Sequence, residues 1–124
     1  MVPITYSYKS STKLNKDTPI FLYAYGGYNI SIRPSFTPKY VAWLEMGGVL
    51  AVANIRGGGE FGKAWHNAGR LGTKQNVFDD FLYASKFLES NAIGNRKSTV
   101  ISGRSNGGLP VSYTHLRAHE TRFY

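Results

Sequence analysis

Gly103-Arg104-Ser105-Asn106-Gly107-Gly108 stands one residue beyond the apolar run Thr99-Val100-Ile101, with Ser102 between. A strand that ends on Gly-x-Ser-x-Gly reverses into a helix so tightly that the serine is held at the tip of the turn. Side chains at Gly103 and Gly107 would collide with the strand or the helix. The geometry leaves the Ser105 hydroxyl exposed and aims the next backbone N–H, that of Asn106, at the place where an oxyanion would form. Glycine-rich turns between strand and helix also arise for structural reasons alone, so the reading depends on what surrounds this one.

Upstream, the pattern is that of alternating strands and helices. Residues 2–9 alternate apolar or aromatic with polar side chains, as in an antiparallel strand with one wet face. Residues 10–18 are polar and are expected to form a hairpin-type loop. Pro19-Ile20-Phe21-Leu22-Tyr23 is a nearly unbroken apolar run, suited to a strand covered on both faces. It discharges into Tyr25-Gly26-Gly27-Tyr28, a loop at the strand's carboxyl end, where open α/β sheets build their sites. Residues 36–45 carry Tyr40, Val41 and Leu44 at helical spacing, with Pro38 tolerable in the first turn. Residues 49–54 read as the next buried strand, and 56–62 as a glycine-rich loop. Residues 76–91 place Val77, Phe81, Ala84, Phe87 and Leu88 on one stripe of a helix. Asp79 and Asp80 are expected near its N-terminus, where carboxylates suit the helix dipole. Residues 98–102 form the strand that leads to Ser105. The fold class expected is α/β: a mostly parallel sheet with helices on both faces and right-handed crossovers, incomplete at this length.

Four stretches in one order, Tyr23-Ala24-Tyr25-Gly26-Gly27-Tyr28-Asn29, then 51–62 with Asn54-Ile55-Arg56-Gly57-Gly58-Gly59-Glu60, then Trp65-His66 and Lys74-Gln75-Asn76 with Asp79-Asp80-Phe81, and finally the serine turn, resemble the catalytic α/β-hydrolase domain of the prolyl oligopeptidase family. The resemblance runs from about Val2 to Leu109. It implies residues 1–109 as the N-terminal half of a peptidase catalytic domain and 110–124 as a non-native tail. Pro110 removes a backbone donor where a long apolar helix should begin, and the apolar period fades after it.

The resemblance implies a serine peptidase that cleaves short peptides after proline, with Ser105 as the acyl-forming nucleophile and no cofactor or metal. It implies the Asn106 N–H and the Tyr25 phenol as the two oxyanion donors, and Tyr28 as an aromatic wall of the proline pocket, where the family usually has phenylalanine. It also implies a β-propeller domain outside this chain. A serine needs a histidine to take its proton and a carboxylate to orient that histidine. In α/β hydrolases these follow in the order Ser, then acid, then His, whereas only His115, His119 and Glu120 follow Ser105 here, in the wrong order and too close together. The acid and base are therefore expected from a later segment, and the chain by itself is expected to be inactive.

Other chemistries fit the residues less well. Arg56-Gly57-Gly58-Gly59-Glu60 lacks the Gly-Lys-Ser/Thr ending of a phosphate loop and reads as a structural turn. His66 beside Trp65 reads as a packed, hydrogen-bonded histidine, and no cysteine is present to build a disulfide or thiolate site. The net charge of +8 raises the alternative of a basic module for RNA or acidic lipid. The lysines and arginines are nevertheless scattered singly, with no run beyond Arg96-Lys97, so neither nucleic acid nor membrane is an expected partner. An esterase or aminopeptidase sharing the serine turn is the other alternative. No charged segment followed by an apolar one opens the chain, and a cytoplasmic location is expected.

Overall fold

The computed structural model describes residues 1–28, 30–32, 37–95 and 97–102. Its elements follow the order β1 (Ile4–Ser7), β2 (Ile20–Tyr23), α1 (Pro38–Glu45), β3 (Val49–Ala53), α2 (Lys63–Asn67), a 3-10 turn (Leu71–Thr73), α3 (Gln75–Ser90) and β4 (Thr99–Ser102). The four strands form one sheet in the order β1-β3-β2-β4. The central β2 is parallel to both neighbours, with Leu22 opposite Ala51 on one side and Ile101 on the other. β1 runs antiparallel along the outer edge of β3, pairing Ile4 with Ala53 and Ser7 with Leu50.

The edge position of β1 corrects the expected hairpin over residues 10–18. Both edges of β2 are taken by parallel partners, so β1 has nowhere to pair with it and the connection crosses to the far side of β3. That connection is instead tied to the segment before β4: Asn15 O accepts from Gly94 N at 2.9 Å, and Asn15 N donates to Thr18 Oγ1 at 2.8 Å.

The alternating burial of β2 and β3 sorts their side chains onto two faces. Ile20, Leu22, Ala24, Val49, Ala51 and Ala53 are buried together with Val77, Phe81, Ala84 and Leu88 of α3. Phe21 points to the opposite face, where its ring meets Tyr40 and Trp43 of α1 at centroid distances of 5.9 and 6.0 Å. The Trp43 indole N–H donates to Val49 O at 2.9 Å, tying α1 to β3. Helices thus cover both faces of a mostly parallel sheet. Pro38 opens α1 at its first position, where the missing N–H costs no intrahelical bond.

Three further details depart from expectation. Phe87 belongs to the helical stripe by spacing but is half exposed, unlike Phe81, Ala84 and Leu88 of the same helix. α2 and the 3-10 turn occupy a stretch whose sequence carries too short an apolar period to announce a helix. The first turn of α3 contains no acidic residue, so Asp79 and Asp80 do not serve its dipole as expected; Asp80 is buried and committed elsewhere.

Candidate functional site

The site is built at the carboxyl edge of the sheet. Tyr23 of β2 is opposite Ser102 of β4, and both strands run in the same direction. Tyr25, two residues past Tyr23, therefore leaves β2 at the same edge of the sheet at which β4 ends on Ser102. β3 joins them there, since Tyr23 also pairs with Val52 and the 54–62 segment departs from the same end. Ser105 and Asn106 lie outside the described residues, as do His115, His119 and Glu120.

Tyr25 is half buried, and the loop that carries it is held on several sides. Gly26 is buried with φ +64°, a region that favours glycine. A Cβ there would come within 2.6 Å of Ile55 Cγ1 and 2.8 Å of Val77 Cγ1. The Gly26 carbonyl oxygen accepts from Lys74 Nζ at 3.2 Å. Burial lowers the Lys74 ammonium pKa below its ordinary 10.5. Gly57, at φ +97°, lies against the other side of the Gly26 carbonyl: a Cβ on it would stand 2.5 Å from that oxygen. The Tyr25 loop and the glycine-rich loop are therefore in backbone contact, which only glycines permit.

The glycine-rich loop is braced in turn by α2. Gly57 N donates to Trp65 O at 3.1 Å, and the Trp65 indole N–H donates to Ile55 O at 3.2 Å. His66 Nδ1 is 2.7 Å from Gly57 O. A carbonyl only accepts, so His66 donates from Nδ1 and serves as the packed, hydrogen-bonded histidine expected from sequence. Asn76 Nδ2 donates to Ala68 O at 2.8 Å, fastening the end of α2 to α3. Further out, Glu60 Oε1 accepts from Ile32 N at 2.9 Å and Asn54 Nδ2 donates to Ile32 O at 3.2 Å.

Arg56 and Asp80 close the framework from beneath. Arg56 is thus not one of the solvated surface charges that the scattered pattern suggests: the hydrogen bond to Asp80 raises its pKa further above an already high value. Lys9 is likewise paired, 2.7 Å from Glu45 at the surface. Sequence reasoning missed Lys74 and Asp80 as framework residues. Their positions held the signal, since Lys74, Val77, Asp80, Phe81 and Ala84 share one helical face, and a charge on an apolar stripe needs a partner.

Tyr28 adopts φ 51° and is 73% exposed, three residues beyond Tyr25 on the same loop. An apolar cavity of about 870 Å³ lies elsewhere, lined by Val2, Ile4, Trp65, Tyr83 and Phe87, with Arg56 and Asp80 in its wall and neither Tyr25 nor Tyr28 among its lining. Among the described residues no three His, Cys, Asp or Glu side chains come together as a metal site, and no helix is long and apolar enough to cross a membrane.

Residues 34–124 match the prolyl oligopeptidase family. The chain is 48% identical over 113 residues to a prolyl endopeptidase of Elizabethkingia meningoseptica, covering 91% of this chain and 16% of that protein. It is 43% identical over 123 residues to a dual function macrocyclase-peptidase of Amanita bisporigera, covering 98% of this chain and 17% of that one. Among solved structures, a prolyl endopeptidase superposes with a TM-score of 0.89 at 47% identity, covering 91% of this chain and 17% of the other. A post-proline cleaving enzyme from Rickettsia typhi superposes at 0.86 and 39% identity, covering 90% and 16%. The chain thus spans about one sixth of the length of these relatives. With helices on both faces of a mostly parallel sheet and a sequence match over most of its length, the chain belongs to the prolyl oligopeptidase family and carries part of its α/β-hydrolase fold.

Proposed function

We propose that the chain is the N-terminal half of the catalytic domain of a serine peptidase that hydrolyses short peptides on the carboxyl side of proline. Ser105 attacks the scissile carbonyl and becomes acylated, while the backbone N–H of Asn106 and the phenol of Tyr25 receive the developing oxyanion. Tyr28 contributes an aromatic wall to the proline pocket. A histidine from a later part of the full-length enzyme takes the serine proton and gives it to the leaving amine, an acid orients that histidine, and water activated by the same histidine then releases the acyl group from Ser105. A β-propeller domain, also outside this chain, limits access to short peptides. No cofactor takes part.

The observation that carries this reading is the register of Tyr23 with Ser102. Two parallel, adjacent strands end at the same edge, which supports the Tyr25 loop and the serine turn facing one reacting carbonyl. The test uses the complete enzyme and the 124-residue chain side by side with a blocked Gly-Pro anilide. The complete enzyme should cleave it and lose that activity with Ser105→Ala, while the short chain should release no product. Turnover by the short chain, or full activity in Ser105→Ala, would overturn the proposal.

A further inference from the structure

We propose that Lys74 is a positioning residue for the Tyr25 phenol, acting through the carbonyl of Gly26. The inference rests on Tyr25 being an oxyanion donor, and it names the group that keeps that donor in place.

Gly26 follows Tyr25 directly, so its two backbone torsions set the course of the chain next to the phenol-bearing residue. The first torsion is confined by packing: the Gly26 Cα sits so close to Ile55 and Val77 that an added Cβ would approach both within 2.8 Å. The second is confined by its carbonyl, which accepts from Lys74 Nζ at 3.2 Å and has Gly57 packed against it. Lys74 is itself fixed. It caps the N-terminus of α3, its N–H donates to Leu71 O at 3.1 Å, and its carbonyl accepts from Val77 N at 3.0 Å. Val77 and Phe81, one and two turns on, are wholly buried in the core. The ammonium thus transmits the rigidity of the core helix to Gly26, whose preceding residue must present a hydroxyl with sub-ångström accuracy.

Taking the Lys74 ammonium partly out of water costs hydration, which its hydrogen bond to Gly26 O offsets in part. An apolar side chain would fill the same space without losing hydration. The ammonium is a charge-assisted donor to Gly26 O.

The test is a double-mutant cycle in the complete enzyme with a blocked Gly-Pro anilide. Lys74→Met should lower kcat by about tenfold or more with KM little changed, as expected when a transition-state donor is misplaced. Lys74→Arg, which keeps the cation and the donors, should recover most of the loss. In a Tyr25→Phe background, Lys74→Met should cost nothing further, because there is no hydroxyl left to position. An equal loss in both backgrounds would overturn the inference while leaving Tyr25 as an oxyanion donor. Unchanged kcat in Tyr25→Phe alone would remove the donor reading and this inference with it. Should Lys74→Met fail to fold, Lys74→Gln, which retains a neutral donor, takes its place in the same cycle.

Discussion

Arg56 donates to the Asp80 carboxylate from three nitrogens: backbone N to Oδ2 at 2.9 Å, Nε to Oδ2 at 2.9 Å and Nη2 to Oδ1 at 2.7 Å. Asp80 is 5% exposed and the Arg56 side chain 31%. One carboxylate on α3 therefore anchors both the main chain and the side chain of the residue that opens the glycine-rich loop, 24 positions earlier.

Removing Asp80 should be more damaging than its single negative charge suggests. Asp80→Ala orphans a half-buried guanidinium and the Arg56 N–H together, and should cost about 3 kcal/mol of stability in the complete enzyme, the low end for a broken buried pair because the arginine keeps some solvent. Asp80→Asn keeps an acceptor for the N–H and should lose less. Urea denaturation of the two variants checks the ordering.

Gly26→Ala should be poorly tolerated for two reasons that add. The backbone sits at φ +64°, and the new methyl would lie 2.6 Å from Ile55 Cγ1. Strain of about 1–3 kcal/mol is expected from the backbone alone. Ile55→Val removes only Cδ1, 2.7 Å from the new methyl, and keeps Cγ1 at 2.6 Å, so the pair should recover little of the stability, read as the shift in thermal midpoint.

His66 should be protonated at Nδ1, because the 2.7 Å contact to Gly57 O requires a donor. Nitrogen-15 spectra of the imidazole distinguish the two tautomers directly. His66→Ala leaves Gly57 O without that donor and should cost about 1–2 kcal/mol. Under the proposed function, cleavage of the blocked Gly-Pro anilide by the complete enzyme should survive it, in contrast with Ser105→Ala.

Lys74 should make stability depend on alkaline pH with a definite sign. Burial holds its pKa below the 10.5 of the unfolded chain. Between those two values the unfolded state binds more protons than the folded one, so stability rises with pH across that window. The neutral amine can still donate to Gly26 O, so the loop contact survives the titration. Denaturation midpoints measured from neutral pH up to 10.5 should show this increment in the parent enzyme, and Lys74→Met should lack it.

The elements were legible where a single physical signal dominates. The apolar runs of β2 and β3, the 77-81-84-88 stripe of α3 and the proline at the head of α1 all mark themselves by local rules of burial and backbone geometry. The Tyr-Gly-Gly loop could likewise be named from the chain alone, since the requirement for glycine at Gly26, with φ +64°, is written into the residue that meets it, whereas the serine turn lies outside the described residues.

The partnerships belong to the tertiary structure. That β1 joins β3 and not β2 depends on which edges remain open once the parallel strands have paired, a competition between distant segments. Asp80 looks from sequence like a helix-terminal acid, and it becomes the buried partner of Arg56 because α3 begins at Gln75 and turns that side chain inward. Lys74 looks like a surface cation until the sheet brings Gly26 to its tip. Local periodicity encodes which residues are strand, helix or turn, whereas hydrogen bonds and ion pairs between residues 24 or 48 positions apart form only after the core has set their separation.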